Sequence, residues 1–294
     1  MRENELIRGL RARVHDPEGM LGIGDDCCTW TPGGPTCLST DTVVEGRHFL
    51  SGTPPGLVGR KAAAAALSDL AAMAARPVGA VCAITVAAGW DAAAVMEGLI
   101  TELERHGCPL LGGDTTAGDR LTITMTVWGE RAAARFLTRS GGQFGDLLAV
   151  TGPLGGSLAS GRHLRPEPRF DMAHWLADQP AVHALMDLSD GLAMDAPRLA
   201  AASSCGCLLL PAEVPVHPDV PDMSDTVRAA CCDGEDFELL LAVDAAAWPD
   251  LQVRWPFPTA LARVGMLLPQ PGAFCEDRHG QVVPMPWTGY EHRV

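Results

Sequence analysis

The chain has 294 residues, enough for one large domain or two of ordinary size. It is 47% hydrophobic and 20% charged, the balance of a soluble globular protein, and no apolar run reaches the roughly 18 residues that a bilayer crossing needs. A net charge of −14 sets it against nucleic acid and anionic membrane, and against ATP too unless cations intervene.

The opening stretch, MRENELIRGLRARV, scatters charge where an export signal would carry an apolar core, so a cytoplasmic address is expected. Reduced thiols are then the default for the ten cysteines. Two pairs are adjacent (Cys27–Cys28 and Cys231–Cys232), and Cys205 and Cys207 form C-x-C. None of these has a second pair at zinc-site spacing, and small buried hydrophobe is the reading for most of them.

In chain order, Thr36–Val44 reads as a strand, Gly56–Ala75 as a long Ala-rich helix, and Ala80–Val86 as a strand. Asp91–Arg105 has helical periodicity, and Leu121–Glu130 alternates Leu, Ile, Met and Val with Thr, the pattern of a half-buried strand. SGGQFGD then breaks the chain before a strand at Leu147–Thr151, and a domain boundary is placed at about residue 140. This gives domains at 1–140 and 141–294. The second half continues with a strand at Ala184–Leu188, a helix at Asp190–Ser203, and strands at Cys207–Leu210 and Phe237–Val243. The Pro-rich stretches Pro211–Pro221 and Pro249–Pro271 read as surface loops. The fold class is α/β or α+β in two domains.

The acidic residues carry the functional signal. The notable ones are expected at strand ends or tight turns, among Gly, Ser and Thr. They are GIGDDC (Asp25, Asp26), LSTDTVVEG (Asp41, Glu45), LSDLAAM (Asp69), LGGDTTAG (Asp114), MDLSDGL (Asp187, Asp190) and DGEDFELLL (Glu235, Asp236, Glu238). An Asp before Gly is by itself an ordinary turn residue, and Ser189 or Asp190 could simply cap the following helix. Six such sites with few basic neighbours repel one another, so bringing them together calls for metal ions. Their hard oxygens suit Mg²⁺, which takes one or two carboxylates, waters and substrate phosphates. No GxxxxGK[ST] or EF-hand loop is present, and Lys61 is the only lysine among 22 basic residues.

Asp69 gives the sharpest local argument. Its helix, KAAAAALSDLAAMAA, is apolar on every face and therefore buried, so an ionised Asp there needs a partner. Lys61 lies two turns away, about 12 Å at 1.5 Å per residue, too far for a direct pair. A metal ion or an arginine from elsewhere is the expected partner.

Taken together and in order, these motifs resemble the thiamine-monophosphate kinases. The resemblance runs through GIGDDC, STDTVVEGRHF, KAAAAALSDLAAMAARP, LLGGDTT, LTRSG, RHLRPEPR, DLSDGLAMD, GEDFELL and WTGYEH, nearly the whole chain. It implies the two-domain aminoimidazole ribonucleotide synthetase-like fold. In that fold an N-terminal α/β domain binds ATP and Mg²⁺ and dimerises through its sheet, and a C-terminal α/β domain closes over the cleft.

Position by position, the resemblance implies magnesium ligands at Asp26, Thr40, Asp41, Asp69, Asp114, Asp187 and Asp190, with Ser39 in the same STD turn. It implies ATP contacts at Gly113, Arg139 and Ser189, and thiamine phosphate contacts at His48, Glu235 and Tyr290. Read alone, His48 is an ordinary structural histidine and Tyr290, the only tyrosine, a surface ring. The chain departs from the family by shortening around Gly161–Arg162, by a compact Asp244–Pro271, and by Cys27 after the paired aspartates.

The implied partners are ATP and thiamine phosphate, with no nucleic acid or membrane, in a homodimer. No general base is expected, because the second pKa of a phosphate monoester is about 6 and the attacking oxygen is already ionised. Two rivals stand beside this reading. One is another ATP-using enzyme of the same superfamily, and the other a non-catalytic relative that binds nucleotide or Mg²⁺.

Overall fold

The computed structural model describes residues 3–23, 27–221 and 225–291. The chain divides into two compact units: Met1–Leu70 with Ala75–Ala132 and Leu164–Pro168, and Ala71–Ala74 with Ala133–His163 and Arg169–Val294.

The first unit runs α1 (Glu3–Arg13), β1 (Thr36–Val44), α2 (Pro55–Ala72), β2 (Ala75–Val86), α3 (Ala92–Arg105), β3 (Leu110–Ala117) and β4 (Thr122–Arg131). Its four strands form one sheet in the order β1-β4-β2-β3. The β1–β4 and β4–β2 pairs are antiparallel, and β2 and β3 are parallel. A parallel neighbour needs a crossover, which α3 supplies. Asp91 caps α3, its side chain accepting from the Ala94 N–H at 3.1 Å.

The alternation read from the sequence becomes the two faces of this sheet. Val43, Ile123, Met125, Val127, Cys82 and Ile84 are buried on one face. On the other, Thr42 pairs with Thr124 at 2.9 Å, Thr40 with Thr126 at 3.1 Å, and Thr85 with Thr116 at 3.0 Å. The helix α2 is buried without a break from Lys61 to Ser68, as its uniform apolarity requires. It meets α3 closely: a Cβ on Gly98 would lie 2.0 Å from the Gly56 carbonyl oxygen, so only glycine allows that approach.

The second unit holds β5 (Leu147–Thr151), a short turn of helix α4 (Ser157–Ser160), α5 (Phe170–Ala177), β6 (Val182–Asp187) and α6 (Leu192–Ala202). These are followed by β7 (Gly206–Leu209), α7 (Thr226–Cys232), β8 (Leu239–Val243), α8 (Trp248–Arg254), β9 (Leu261–Leu268), β10 (Ala273–Glu276) and β11 (Val282–Pro284). Seven strands form a mixed sheet, β11-β10-β7-β9-β5-β8-β6. β5 and β8 are buried at every position, which is why they read as continuous apolar runs.

Several expectations are corrected. The long helix stops at Ala72, because Ala74 takes a left-handed φ of 53° and its N–H turns back to the Ala71 carbonyl at 2.8 Å. β2 begins at Ala75 rather than Ala80, carrying Pro77 at a shift of register where no ladder bond is demanded of it. The segment LLGGDTTA is a strand, not a turn, so Asp114 sits inside β3 and Asp41 inside β1 rather than at strand ends.

Pro249–Pro271 is not a loop. It contains α8, with Pro249 in its first turn, and β9, which lies between β7 and β5 in the sheet. The strand expected from Phe237 starts at Leu239, since Phe237 has a φ of 53°. The ten cysteines are free thiols, as expected, and Cys82, Cys108, Cys207, Cys231 and Cys275 are buried.

Candidate active site

The sequence-derived site residues fall into two groups, one in each unit. In the first unit, Ser39 and Asp41 project from the helix-packed face of β1. The Ser39 hydroxyl donates to the Asp69 carboxylate of α2 at 2.5 Å. Asp69 is half-buried, and this serine hydroxyl is one of its partners, a group that the expectation of a metal ion or an arginine did not include. Asp41 accepts from the Thr42 N–H at 2.7 Å and has no ion pair among the described residues.

Thr40 points to the opposite face, where its hydroxyl donates to the Met125 carbonyl at 3.0 Å. Asp114 shares that face: its row runs through Ala83 and Thr124 to Thr42. Asp41 and Asp114 are therefore on opposite faces and on opposite edge strands, about 14 Å apart by three strand spacings. Within one chain the sheet separates them.

Gly113 has a specific reason to be glycine. A Cβ there would lie 1.8 Å from the Cys82 carbonyl oxygen, so no side chain fits between β3 and β2 at this point. Gly113 and Asp114 line a cavity of about 500 Å³ with Gly112, Gly22, Ile23, Cys27 and Cys28. Ile7 and Leu10 of α1 and Met96 of α3 form part of its wall. That volume suits a small-molecule ligand. The motifs GIGDDC and LGGDTTAG thus meet at one cavity through their described residues. Asp25 and Asp26 lie outside the described residues.

His48 closes the turn that follows β1. Its Nδ1 accepts from the Val44 N–H at 3.0 Å, which places a neutral ring's proton on Nε2. The fully buried Lys61 donates from Nζ to the His48 carbonyl at 2.7 Å. Glu45 is a staple of the same region. Its carboxylate accepts from Ser51 (2.7 Å), Trp90 (3.0 Å) and the Leu121 N–H (3.1 Å), and these bonds hold it below the usual carboxylate range.

In the second unit, Asp187 ends β6 and is buried. Ser189 and Asp190 form the turn after it, but neither caps α6, whose N-cap is Gly191. Asp190 is ion-paired instead with Arg198, and its N–H donates to Asp195 at 3.0 Å. Arg198 also holds Asp195 at 2.9 Å, whose carboxyl burial pushes up to about 6.

The Ser189 carbonyl accepts from the Glu235 N–H at 2.7 Å, and the Asp190 carbonyl from the Tyr290 N–H at 2.9 Å. The SDG turn, Glu235 and Tyr290 are thereby tied together. Tyr290 is 44% exposed, and Trp287 packs against the core of the second unit. Arg139 is exposed, and its carbonyl accepts from the Ser203 hydroxyl at 3.0 Å.

Sequence reasoning named RHLRPEPR and GEDFELL but not their pairing. Arg162 reaches Asp236 at 2.9 Å, and Arg169 reaches Glu238 at 2.5 Å. Arg198 and Asp195 were missed as well, though an Asp and an Arg three apart on an apolar helix are a local signal for such a pair.

Among the described residues no group of three or more His, Cys, Asp and Glu is arranged to hold a metal ion. The donor chemistry nonetheless fits Mg²⁺. Asp41 and Asp114 are hard oxygen donors that no cation among the described residues neutralises, and Mg²⁺ needs only one or two protein carboxylates beside water and phosphate oxygens.

Comparison with known proteins follows the same lines. Residues 24–131 match the family of AIR synthase related protein, N-terminal domain. The chain is 34% identical to the thiamine-monophosphate kinase of Escherichia coli (strain K12), over 92% of this chain and 91% of that one. The crystal structure of thiamine-monophosphate kinase from Stenotrophomonas maltophilia K279a superposes with a TM-score of 0.79 at 28% identity, covering 94% of this chain and 97% of the other. AaThiL complexed with AMPPCP and TMP superposes with a TM-score of 0.73 at 25% identity, covering 94% and 95%.

Proposed function

The chain belongs to the thiamine-monophosphate kinase family, and on that premise we propose how its residues carry out the family's reaction, the ATP-dependent phosphorylation of thiamine phosphate to thiamine diphosphate. The observation that carries the reading is the identity to a kinase of this activity along nine-tenths of the chain. The fold of a relative complexed with AMPPCP and TMP supports it.

In this reading the segment 1–140 takes ATP at the cavity lined by Gly113 and Asp114. Backbone bared by Gly112 and Gly113 lets phosphate approach without a side chain in the way. Arg139 supplies a planar fork to the ATP phosphates. The segment 141–294 takes thiamine phosphate, with Glu235 toward the aminopyrimidine and Tyr290 over the cationic thiazolium. Ser189 joins the ATP contacts, and the Nε2 side of His48 the substrate contacts.

Asp26, Thr40, Asp41, Asp69, Asp114, Asp187 and Asp190 are the proposed magnesium ligands; the Thr40 hydroxyl, which donates to the Met125 carbonyl, keeps oxygen lone pairs for a metal. Bound Mg²⁺ would screen the repulsion between two polyanions and stabilise charge on the transferring phosphoryl group. The chain's own residues have a narrower task. They hold donor and acceptor in line, and they need not remove a proton. An attacking oxygen that is ionised at neutral pH explains why no residue is placed as a general base.

A homodimer accompanies this proposal. Leu38 is 64% exposed on the threonine-bearing face of the first unit's sheet, a surface suited to a second copy. Incubation with Mg²⁺, ATP and thiamine phosphate tests the function directly. Thiamine diphosphate is the expected product; ATP bound without product formation would favour the non-catalytic rival, and turnover with another acceptor the superfamily rival.

A further inference from the structure

The turn Asp233–Glu238 has an unusual backbone. Glu235 and Phe237 take φ values of 64° and 53°, a left-handed region that side chains with a Cβ rarely enter. Two such residues, separated by one, do not hold themselves in place. Something around them must fix the conformation.

Neighbouring groups supply this restraint. Asp236, between the two strained residues, is buried, and its carboxylate accepts from the Gly155 N–H at 2.9 Å and from Arg162 at 2.9 Å. Arg162 is itself oriented by the Gly155 carbonyl at 2.7 Å and by Asp219 at 3.3 Å. The Ser157 hydroxyl donates to the Glu235 carbonyl at 2.7 Å, and the Glu235 and Phe237 N–H groups donate to Ser189 and Leu188. The backbone of Glu235 is thus gripped from both sides, and the grip centres on the Asp236 carboxylate.

We propose that Asp236, clamped by Arg162 and Gly155, is a positioning residue that sets the side chain of Glu235 for thiamine phosphate. This rests on the reading of Glu235 as a thiamine phosphate contact. In this role Asp236 acts indirectly. It acts by holding the left-handed turn from which Glu235 projects, and Arg162, from the segment where the chain is shortened, supplies the counter-charge that lets a carboxylate stay buried there. A clamp of this kind acts mainly on substrate binding and reaches the nucleotide only through the Ser189 carbonyl.

The test is a double-mutant cycle on the full-length protein with Glu235→Gln, Asp236→Asn and their combination, read as separate KM values for thiamine phosphate and ATP. Arg162→Lys serves as a second route in case Asp236→Asn does not fold; it keeps the charge but loses the fork. Asp236→Asn is expected to raise the KM for thiamine phosphate about tenfold, with the KM for ATP little changed. The double variant is expected to be no worse than Glu235→Gln alone, because Asp236 works through Glu235. Arg162→Lys should follow Asp236→Asn in direction.

If Glu235→Gln leaves the KM for thiamine phosphate unchanged, the reading of Glu235 has failed and the inference goes with it. If Glu235→Gln raises that KM while Asp236→Asn and Arg162→Lys do not, the positioning inference alone is overturned. Effects that multiply in the double variant would overturn it too.

Discussion

Two sets of motif carboxylates, one in each unit, are held in opposite ways, although arginines such as Arg13, Arg60 and Arg76 pair other acidic residues of the first unit. In the first, Asp41 and Asp114 stand on regular strands, and no cation among the described residues neutralises them. In the second, Asp190, Asp236 and Glu238 stand on or beside turns and Asp195 in the first turn of α6, and each is paired with an arginine. The same residue type therefore does different work. A carboxylate already matched by a guanidinium fixes the shape of a turn. One left unmatched in a chain of net charge −14 is a standing attraction for a divalent ion. The comparison ranks the proposed ligands, with Asp41 and Asp114 ahead of Asp190.

The largest effect should come from the unmatched pair. Asp41→Asn and Asp114→Asn are expected to lower turnover on the order of a thousandfold at saturating Mg²⁺, with circular dichroism and melting temperature nearly unchanged. Rates close to the parent protein's would erase the distinction between the two units.

Arg198→Met probes the matched kind. It strands the buried Asp195 and is expected to cost about 3 kcal/mol in urea denaturation, with turnover reduced less than in Asp41→Asn. A larger loss of turnover than of stability would place Asp190 in the chemistry rather than in the turn. Tyr290→Ala is expected to raise the KM for thiamine phosphate about tenfold. An unchanged KM would take the ring out of the pocket.

The smallest effect is a slope. Burial pushes the Asp236 carboxyl up to about 6, above its value of about 4 in an unfolded chain. Between these values the folded state keeps a proton that the unfolded state has released. Stability from this group is therefore fully present below about pH 4, falls as pH rises to about 6, and is level above that. Asp236→Asn should flatten that part of the stability profile in chemical denaturation. A slope equal to the parent's would assign the titration elsewhere.

What the sequence reveals divides along physical lines. β1 and β5 were legible to the residue because alternation and full burial each leave a local pattern. β3 leaves no strand pattern because Gly112 and Gly113 interrupt it, yet Gly113 is there for the close approach to Cys82. β9 was hidden among prolines that in fact start α8 and flank a strand in the sheet interior. At the site, the acidic motifs stood out by composition. Their partners did not: Arg162 and Asp236 are 74 positions apart, and no local rule joins residues at that separation. Nor does a motif reveal which face of a strand it uses, so that Thr40 and Asp41, adjacent in one turn-like tripeptide, prove to point to opposite sides.

The central claim is that the carboxylates left without arginine partners are the ones that hold divalent ions beside the phosphates. Crystals grown with AMPPCP, thiamine phosphate and Mn²⁺ in place of Mg²⁺ test it by anomalous scattering. The account predicts peaks within bonding distance of the carboxylate oxygens of Asp41 and Asp114. Peaks only at the arginine-paired Asp190, or none at any carboxylate while the nucleotide is bound, would contradict it.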